Sequence, residues 1–252
     1  MEKRAVYTNT YRIALGDVDF LKSMKLSAVF NAFQEIASRH ADHLGLSIQA
    51  VELKRNAAWI LTRIRVELLR RPRWNEEIRI ETWPQPPKKY EFERDYAVMD
   101  NEGNVLLRAV STWVLLDIDK RELLKSDSVA IDLPAFETKR AILCKLGKIK
   151  PSGTPEPVYK RVIGISDIDV NGHLNNSKYV DFIVDCFSIE QYRSCRVKSI
   201  QVNYVQEALP GDTISFFRDA SALAEAGLIY IEGRSEQDGR TIFTSELEVE
   251  AL

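Results

Sequence analysis

The chain reads as an α+β protein made of one arrangement repeated, in each half a mostly apolar helix followed by antiparallel strands. Three observations predict this. Short motifs recur in the same order at long fixed offsets, each half holds one stretch of helical apolar periodicity, and the residues after each stretch are strand-like and punctuated by turn formers.

The repeat is explicit in several motif pairs. Asp17-Val18-Asp19, preceded by the strand-like run 11–15, recurs 150 positions later as Asp167-Ile168-Asp169, after another strand-like run. Ile64-Arg65-Val66 and Trp74-Asn75-Glu76-Glu77-Ile78 recur 136 positions later as Ile200-Gln201-Val202 and Pro210-Gly211-Asp212-Thr213-Ile214. The turn Asn101-Glu102-Gly103-Asn104 has its counterpart at Gln237-Asp238-Gly239-Arg240, again at 136. Both halves therefore share one order of elements, and the first has the longer helix-to-strand region.

In the first half Leu26, Val29, Phe30, Phe33, Ala37, His40 and Leu44 recur at three- and four-residue steps, one apolar stripe about five turns long, with Gly45 as its stop. In the second half Asn175 or Asn176 can cap a helix whose stripe is Val180, Ile183, Val184 and Phe187. Only strands come after each helix: 59–69, 77–83, 92–99 and 105–116, then 196–205, 213–217, 228–232 and 241–249. The Asp-Asn-Glu-Gly and Gln-Asp-Gly turns suit antiparallel hairpins. A sheet that wraps its own central helix, made twice, is a double hotdog. The expected boundaries are 1–125 for the first half, 126–157 for a charged and proline-rich linker, and 158–252 for the second half.

Bulk properties narrow the function. The chain has 252 residues, 45% hydrophobic, which is ample for packed cores, and a net charge of −2 offers no basic field for nucleic acid. Cys144, Cys186 and Cys195 form neither an even disulfide set nor a metal-ligand spacing, which fits a reducing compartment. No run reaches membrane-spanning length, and MEKRAVYTNTYR lacks an apolar signal core, so the expectation is a cytoplasmic protein with no membrane partner.

The stretch Ser166 to Tyr179 carries the chemistry. Asp167, Asp169, Asn171 and Gly172 have the spacing that opens a calcium-binding loop, but the twelfth position, where a bidentate Glu belongs, is Lys178, and the preceding residues 158–165 are a strand pattern. Along an extended segment, alternation puts Asp169, Asn171 and His173 on one surface just before the second helix. Those residue types suit hydrolysis. An imidazole takes a proton from water near neutral pH, a carboxylate on its other nitrogen fixes the tautomer, and an amide donates to a developing oxyanion. The same residues also serve as ordinary turn and cap formers, and spacing alone leaves both readings standing. The first half keeps Asp19 but has Leu21 and Ser23 at the positions of Asn171 and His173, so one site per chain is expected. Cys186 and Cys195 read better as small apolar residues than as nucleophiles, and His40 with His43 as a plain helix face rather than a metal site.

Asp169-Val-Asn171-Gly-His173-Leu-Asn175-Asn176-Ser-Lys178-Tyr179 resembles the catalytic stretch of the acyl-acyl-carrier-protein thioesterases of plant plastids and bacteria. Asn31 to His40 is similar to that family's first central helix, Trp59-Ile-Leu-Thr62-Arg63 with Arg71-Pro72-Arg-Trp74 to its next strand pair, and Arg94-Asp95 and Arg108 to Val114 to its later strands. The resemblance covers nearly the whole chain. It implies a double hotdog that hydrolyses fatty acyl thioesters on the phosphopantetheine arm of acyl carrier protein, with no metal or redox cofactor. It also implies catalytic roles for Asp169, Asn171 and His173, joined by Glu207 in Asn203-Tyr204-Val205-Gln206-Glu207-Ala208. Members commonly carry Cys after that Glu, whereas Ala208 stands here, so the thiol is dispensable if the resemblance holds. Water activated by His173 and Glu207, or direct attack by a carboxylate through an anhydride, both remain open. Compared with plastid members the chain lacks a transit extension, which points to a bacterial cytoplasmic enzyme.

One buried methylene is worth about 0.8 kcal/mol, so a sharp chain-length preference needs a closed tunnel. Phe30, Phe33, Ile36, Trp59, Leu61, Trp83 and Trp113, between the first helix and its sheet, are its candidate walls, and each is equally suited to plain core. Acyl carrier proteins are acidic, so a docking patch is expected at Arg63, Arg65, Arg70, Arg71 and Arg73, or at Lys139, Arg140, Lys145, Lys148 and Lys150. Competing functions on the same architecture are an acyl-CoA thioesterase, an enoyl-thioester hydratase and a non-catalytic acyl-binding protein. Two fused halves are compatible with a monomer or a homodimer.

Overall fold

The computed structural model describes residues 4–129 and 136–252; residues 130–135 of the expected linker lie outside the described set. The chain forms two compact units, the first from residues up to Ile64 and Leu69–Lys145, the second from Arg65–Leu68 and Leu146–Leu252.

The first half contains β1 (Tyr7–Arg12), α1 (Leu26–His43), α2 (Ile48–Arg55), β2 (Ala57–Leu68), β3 (Glu77–Pro84), β4 (Phe92–Met99), β5 (Val105–Asp117) and the short β6 (Leu123–Leu124). Its strands run in the order β1-β3-β4-β5-β2, with β6 beside β5. The apolar stripe explains the fold: Leu26, Val29, Phe30, Phe33, Ile36, Ala37 and His40 all lie buried on one side of α1, with Phe33 4.7 Å from the Tyr96 ring on β4. Gly45, at φ 74°, ends the helix, and Ser47 caps α2 by accepting from the Ala50 amide at 3.3 Å.

The second half repeats this with β7 (Glu156–Val162), α3 (Asn176–Val184), α4 (Ile189–Ser194), β8 (Cys195–Tyr204), β9 (Thr213–Asp219), the one-turn α5 (Leu223–Ala226), β10 (Leu228–Ser235) and β11 (Thr241–Ala251). The order β8-β11-β10-β9-β7 mirrors the first half. Asn175 caps α3, its side-chain oxygen accepting from the Ser177 amide at 2.9 Å. Both strand sets are antiparallel, as the hairpin turns predict.

The fold departs from the sequence expectation in two places. Each half has a leading strand before its helix, β1 on β3 and β7 on β9, so each half has five main strands rather than four. The strand-like runs at 11–15 and 158–165 announced these strands, but both begin earlier, in the polar alternation of YTNTYR and at the Pro of EPVYKRV, which suit edge strands. The connections after the central helices also carry short helices, α2 and α4, whose stripes are a single buried residue each, Val51 and Tyr192.

The offsets of 136 and 150 hold down to single hydrogen bonds. Leu69 and Arg70 donate to the Leu106 carbonyl as Val205 and Gln206 do to that of Ile242, and Asn75 donates to Ile13 as Gly211 does to Ile163.

Candidate active site

After β7 the chain makes one 3-10 turn, Ile165–Asp167, held by the Asp167 carboxylate, which accepts from the Gly164 amide at 3.1 Å and pairs with Arg161 at 3.3 Å. The next residues fold back on themselves. The Asp169 amide donates to the His173 carbonyl at 2.9 Å, the Gly172 amide to the Asp169 carbonyl at 3.1 Å, and Ile168 bridges Leu174. One Asp169 oxygen accepts from the amides of Asn171 at 2.8 Å and His173 at 3.4 Å, while the other meets the Asn171 side-chain amide at 3.5 Å.

Asp169, Asn171 and His173 therefore stand on a closed turn, not on the extended segment that alternation assumed. The physical reason is local. A short carboxylate that satisfies two backbone donors favours a turn, and Gly172 takes φ 80°, a conformation open to glycine without strain. The carboxylate beside the imidazole is Glu207: its Oε2 lies 3.5 Å from His173 Nε2, with both side chains about a third exposed, at 30% and 32%. Glu207 comes after β8, and the Leu174 amide, donating to the Ala208 carbonyl at 2.9 Å, ties that segment to the turn. Leu174, Tyr179 and Ala208 are buried. Asn171 is exposed at the turn's tip.

The first half has the same frame with other side chains. Asp19 accepts from the amides of Leu21 at 2.9 Å and Ser23 at 3.1 Å, Val18 bridges Met24, and the Met24 amide reaches the Pro72 carbonyl at 2.7 Å. Lys22 takes Gly172's place and still adopts φ 58°. In the positions of His173 and Glu207 stand Ser23 and Arg71, and Arg71 closes a 2.7 Å ion pair onto Asp19.

Of the other anticipated residues, Phe30 and Phe33 are buried on α1, and Trp59 and Trp113 pack against a cluster that includes Val51, Ala57, Phe92 and Leu115. Trp59 meets Phe92 edge to face at 4.9 Å and donates to the Leu46 carbonyl at 3.1 Å; Trp113 donates to Ser111 at 2.8 Å. Trp83 is not a wall toward the helix. Its neighbour Thr82 faces inward to Arg94, so Trp83 lies on the opposite face of β3, donating to the Lys139 carbonyl at 3.0 Å beneath the Lys139 ammonium. The anticipated docking arginines are mostly engaged with the chain's own acids: Arg63 with Glu91, Arg65 with Glu67, Arg70 with Glu76 and Asp100, Arg71 with Asp19. Arg140 is likewise bound to Glu93 and Asp95.

His40 is neither a metal ligand nor a plain helix face. It is fully buried, stacked on Tyr7, with Nε2 3.0 Å from the Arg4 carbonyl and Nδ1 receiving a hydrogen bond from Arg94 at 2.9 Å. Burial first, and then the Arg94 charge, draw it down to about 4, so it is neutral near pH 7 with Nε2–H as donor. Its partner lies 54 residues away and left no sequence signal. Cys186 is buried, and that burial pushes its thiol up to about 12, which leaves no thiolate for nucleophilic attack at neutral pH.

A sheet wrapped on a central helix, built twice, with an imidazole and a carboxylate meeting beside one of two equivalent turns, defines a double-hotdog protein. The sequence matches the acyl-ACP thioesterase N-terminal domain over residues 4–131 and the acyl-ACP thioesterase C-terminal domain over residues 159–245, and the chain belongs to that family. It is 25% identical over 235 residues to oleoyl-acyl carrier protein thioesterase 2, chloroplastic, of Arabidopsis thaliana, covering 85% of this chain and 63% of that protein. To the palmitoyl-acyl carrier protein thioesterase, chloroplastic, of Gossypium hirsutum it is 28% identical over 215 residues, covering 80% of this chain and 52% of that protein. The chain thus spans roughly half to two thirds of the length of these relatives. Among solved structures, an acyl-ACP thioesterase from Bacteroides thetaiotaomicron is similar with a TM-score of 0.85 at 26% identity over 98% of both chains. The 12:0-ACP thioesterase from Umbellularia californica shares the fold, with a TM-score of 0.84 at 24% identity over 99% of this chain and 98% of that one.

Proposed function

We propose that this chain hydrolyses the thioester joining a fatty acyl group to acyl carrier protein, releasing free fatty acid and carrier thiol. One observation carries the reading: of two equivalent turns, only the second-half turn sets an accessible imidazole 3.5 Å from a carboxylate. The relatives' names supply the substrate class.

In this reading His173 removes a proton from water, whose oxygen bonds to the thioester carbonyl carbon. Glu207 orients the ring through Nε2 and balances the imidazolium charge, and the carbon–sulfur bond then breaks as the imidazolium returns its proton to the leaving sulfur. The Asn171 amide steadies the carbonyl oxygen as it gains charge, and Asp169 acts on the backbone, holding the turn that presents the other two. The acyl chain is assigned to the space along α1 with Phe30 and Phe33 as walls. Carrier recognition falls to the exposed arginines, Arg73 foremost, since Arg70 is paired with Glu76 and Asp100. Reduced thiols at Cys144, Cys186 and Cys195 favour a cytoplasmic location.

The test is thiol release from a panel of acyl-carrier and acyl-CoA substrates of graded length, comparing the intact protein with His173→Ala. Carrier substrates are expected to turn over fastest and to slow more with added salt than acyl-pantetheine does. Turnover that survives His173→Ala defeats the assignment, and loss of a double bond without thiol release favours a hydratase. Single turnover in ¹⁸O-water bears on the route: label in Glu207 requires an anhydride opened at the Glu207 carbonyl and so carboxylate attack, whereas direct attack by water leaves Glu207 unlabelled and puts the label in the fatty acid.

A further inference from the structure

The leading strand and central helix of each half bring the same backbone positions together, and what occupies the space between them differs. At the 150-residue offset Tyr11, Asp17 and Ala32 correspond to Arg161, Asp167 and Phe182. Strand register confirms the match: Tyr11 lies opposite Ile78 and Asn9 opposite Ile80 on β3, as Arg161 lies opposite Ile214 and Tyr159 opposite Phe216 on β9.

In the second half side chains take up this space. Arg161 reaches the buried Asp167 carboxylate at 3.3 Å, and its guanidinium carbon lies 4.2 Å from the centre of the Phe182 ring. Tyr159 stacks on Phe216 at 4.4 Å and donates to the Phe182 carbonyl at 2.6 Å. A cation, its counter-ion and an aromatic face are thus built in.

The first half keeps the acid and loses the cation. Asp17 accepts from the Tyr11 hydroxyl and, at 3.0 Å, from the Ala14 amide; both donors are neutral, and among the described residues no cation is paired with it. Ala32, Asn9 and Ile80 stand where Phe182, Tyr159 and Phe216 fill the other half. Between α1 and β1 these shorter side chains leave an open cavity of about 170 Å³, lined by Tyr11, Asp17, Ala28, Ala32 and Glu35 among others. Glu35 is exposed and already paired with Arg39 at 2.7 Å, so the charge left without a partner is that of Asp17.

We infer that this cavity binds an organic cation with an apolar body, a guanidinium or ammonium group on an aryl or alkyl stem. Its charge meets Asp17 as Arg161 meets Asp167, and its body takes the volume that Phe182 holds in the other half. A neutral ligand of the same shape leaves the carboxylate without a counter-charge, and a bare metal ion leaves the alanine-lined part of the cavity unfilled.

Benzylguanidine is the probe, with benzylurea as its neutral counterpart of the same shape. Calorimetry and the amide resonances of Ala28 and Ala32 in the unaltered protein should show saturable binding of benzylguanidine, and benzylurea should bind at least about tenfold more weakly. Asp17→Asn should weaken benzylguanidine binding about 10- to 100-fold, the share of a hydrogen bond to a charged group. Ala32→Phe, which copies Phe182, should abolish it. Absence of saturable binding, equal binding of benzylurea, or binding that survives Ala32→Phe each overturns the proposal. If Ala32→Phe fails to fold, the benzylurea comparison and Asp17→Asn decide. None of these measurements needs turnover, so their outcome is independent of the hydrolase reading.

Discussion

Two turns in this molecule, 19–23 and 169–173, have the same backbone and opposite chemistry. In each an aspartate accepts from the amides two and four residues on, the fourth residue has a positive φ, and the residue after the turn donates to a carbonyl on a neighbouring segment. One turn closes on an Arg71–Asp19 ion pair with side chains 18% and 10% exposed, and the other opens on His173 and Glu207, each about a third exposed. What the two frames share is the aspartate and the backbone hydrogen bonds around it. The two turns differ in the side chains they carry: serine and arginine stand in one where histidine and glutamate stand in the other.

The sharpest way to break the comparison is to make the second turn resemble the first. His173→Ala should lower thiol release by about 100- to 10,000-fold, the share of a positioned base, without a change in melting temperature, because Ser23 shows that the frame needs no imidazole. A residual rate near that of the unaltered protein would make this turn structural. Asn171→Leu, which copies Leu21, should cost about 100- to 1,000-fold in kcat with little effect on KM. A normal kcat would remove Asn171 from the mechanism and leave it a tip residue.

The buried His40 extends the comparison to pH. His40 is walled in and drawn down to about 4, while in the unfolded chain an imidazole takes its proton near 6.5. Between those values the unfolded state binds more protons, so stability rises with pH through the window and is lost as pH falls from about 6.5 toward 4, by roughly 3 kcal/mol in all. Urea unfolding at a series of pH values should show this slope, and His40→Gln should flatten it. Identical slopes would mean that another group governs acid lability.

The smallest effect is expected from the shared aspartates. Asp169→Ala strips two amides of their acceptor and should cost about 1–3 kcal/mol, and Asp19→Ala at least as much, since Arg71 also loses its partner. Only the first should lower turnover per folded molecule. If both variants lost turnover equally, the division of labour between the turns would fail.

Much of this was legible in the chain. A long-offset repeat, two apolar stripes and Gly-containing turns give the helix-plus-sheet architecture, because periodicity reports which side of an element is buried. The stretch at Asp169 to His173 stood out by residue type, and the unlike pair Leu21 and Ser23 pointed to a single equipped half. Other features were hidden. The polar starts of the edge strands carry no apolar signal, so their bounds were displaced, and the face of a β3 tryptophan depends on register, so Trp83 ended under Lys139. The arginines gathered in sequence found acidic partners in space, and the resemblance named Glu207 without saying which atom it approaches.

Sequence by itself determined the duplicated architecture and the inventory of groups able to move a proton, since both come from local pattern and side-chain identity. Tertiary structure alone decided which carboxylate meets the imidazole, which histidine is sealed against titration and which cations are already paired. Each of those is a distance or a burial set by residues tens of positions apart, and electrostatics depends on such distances, not on neighbours along the chain.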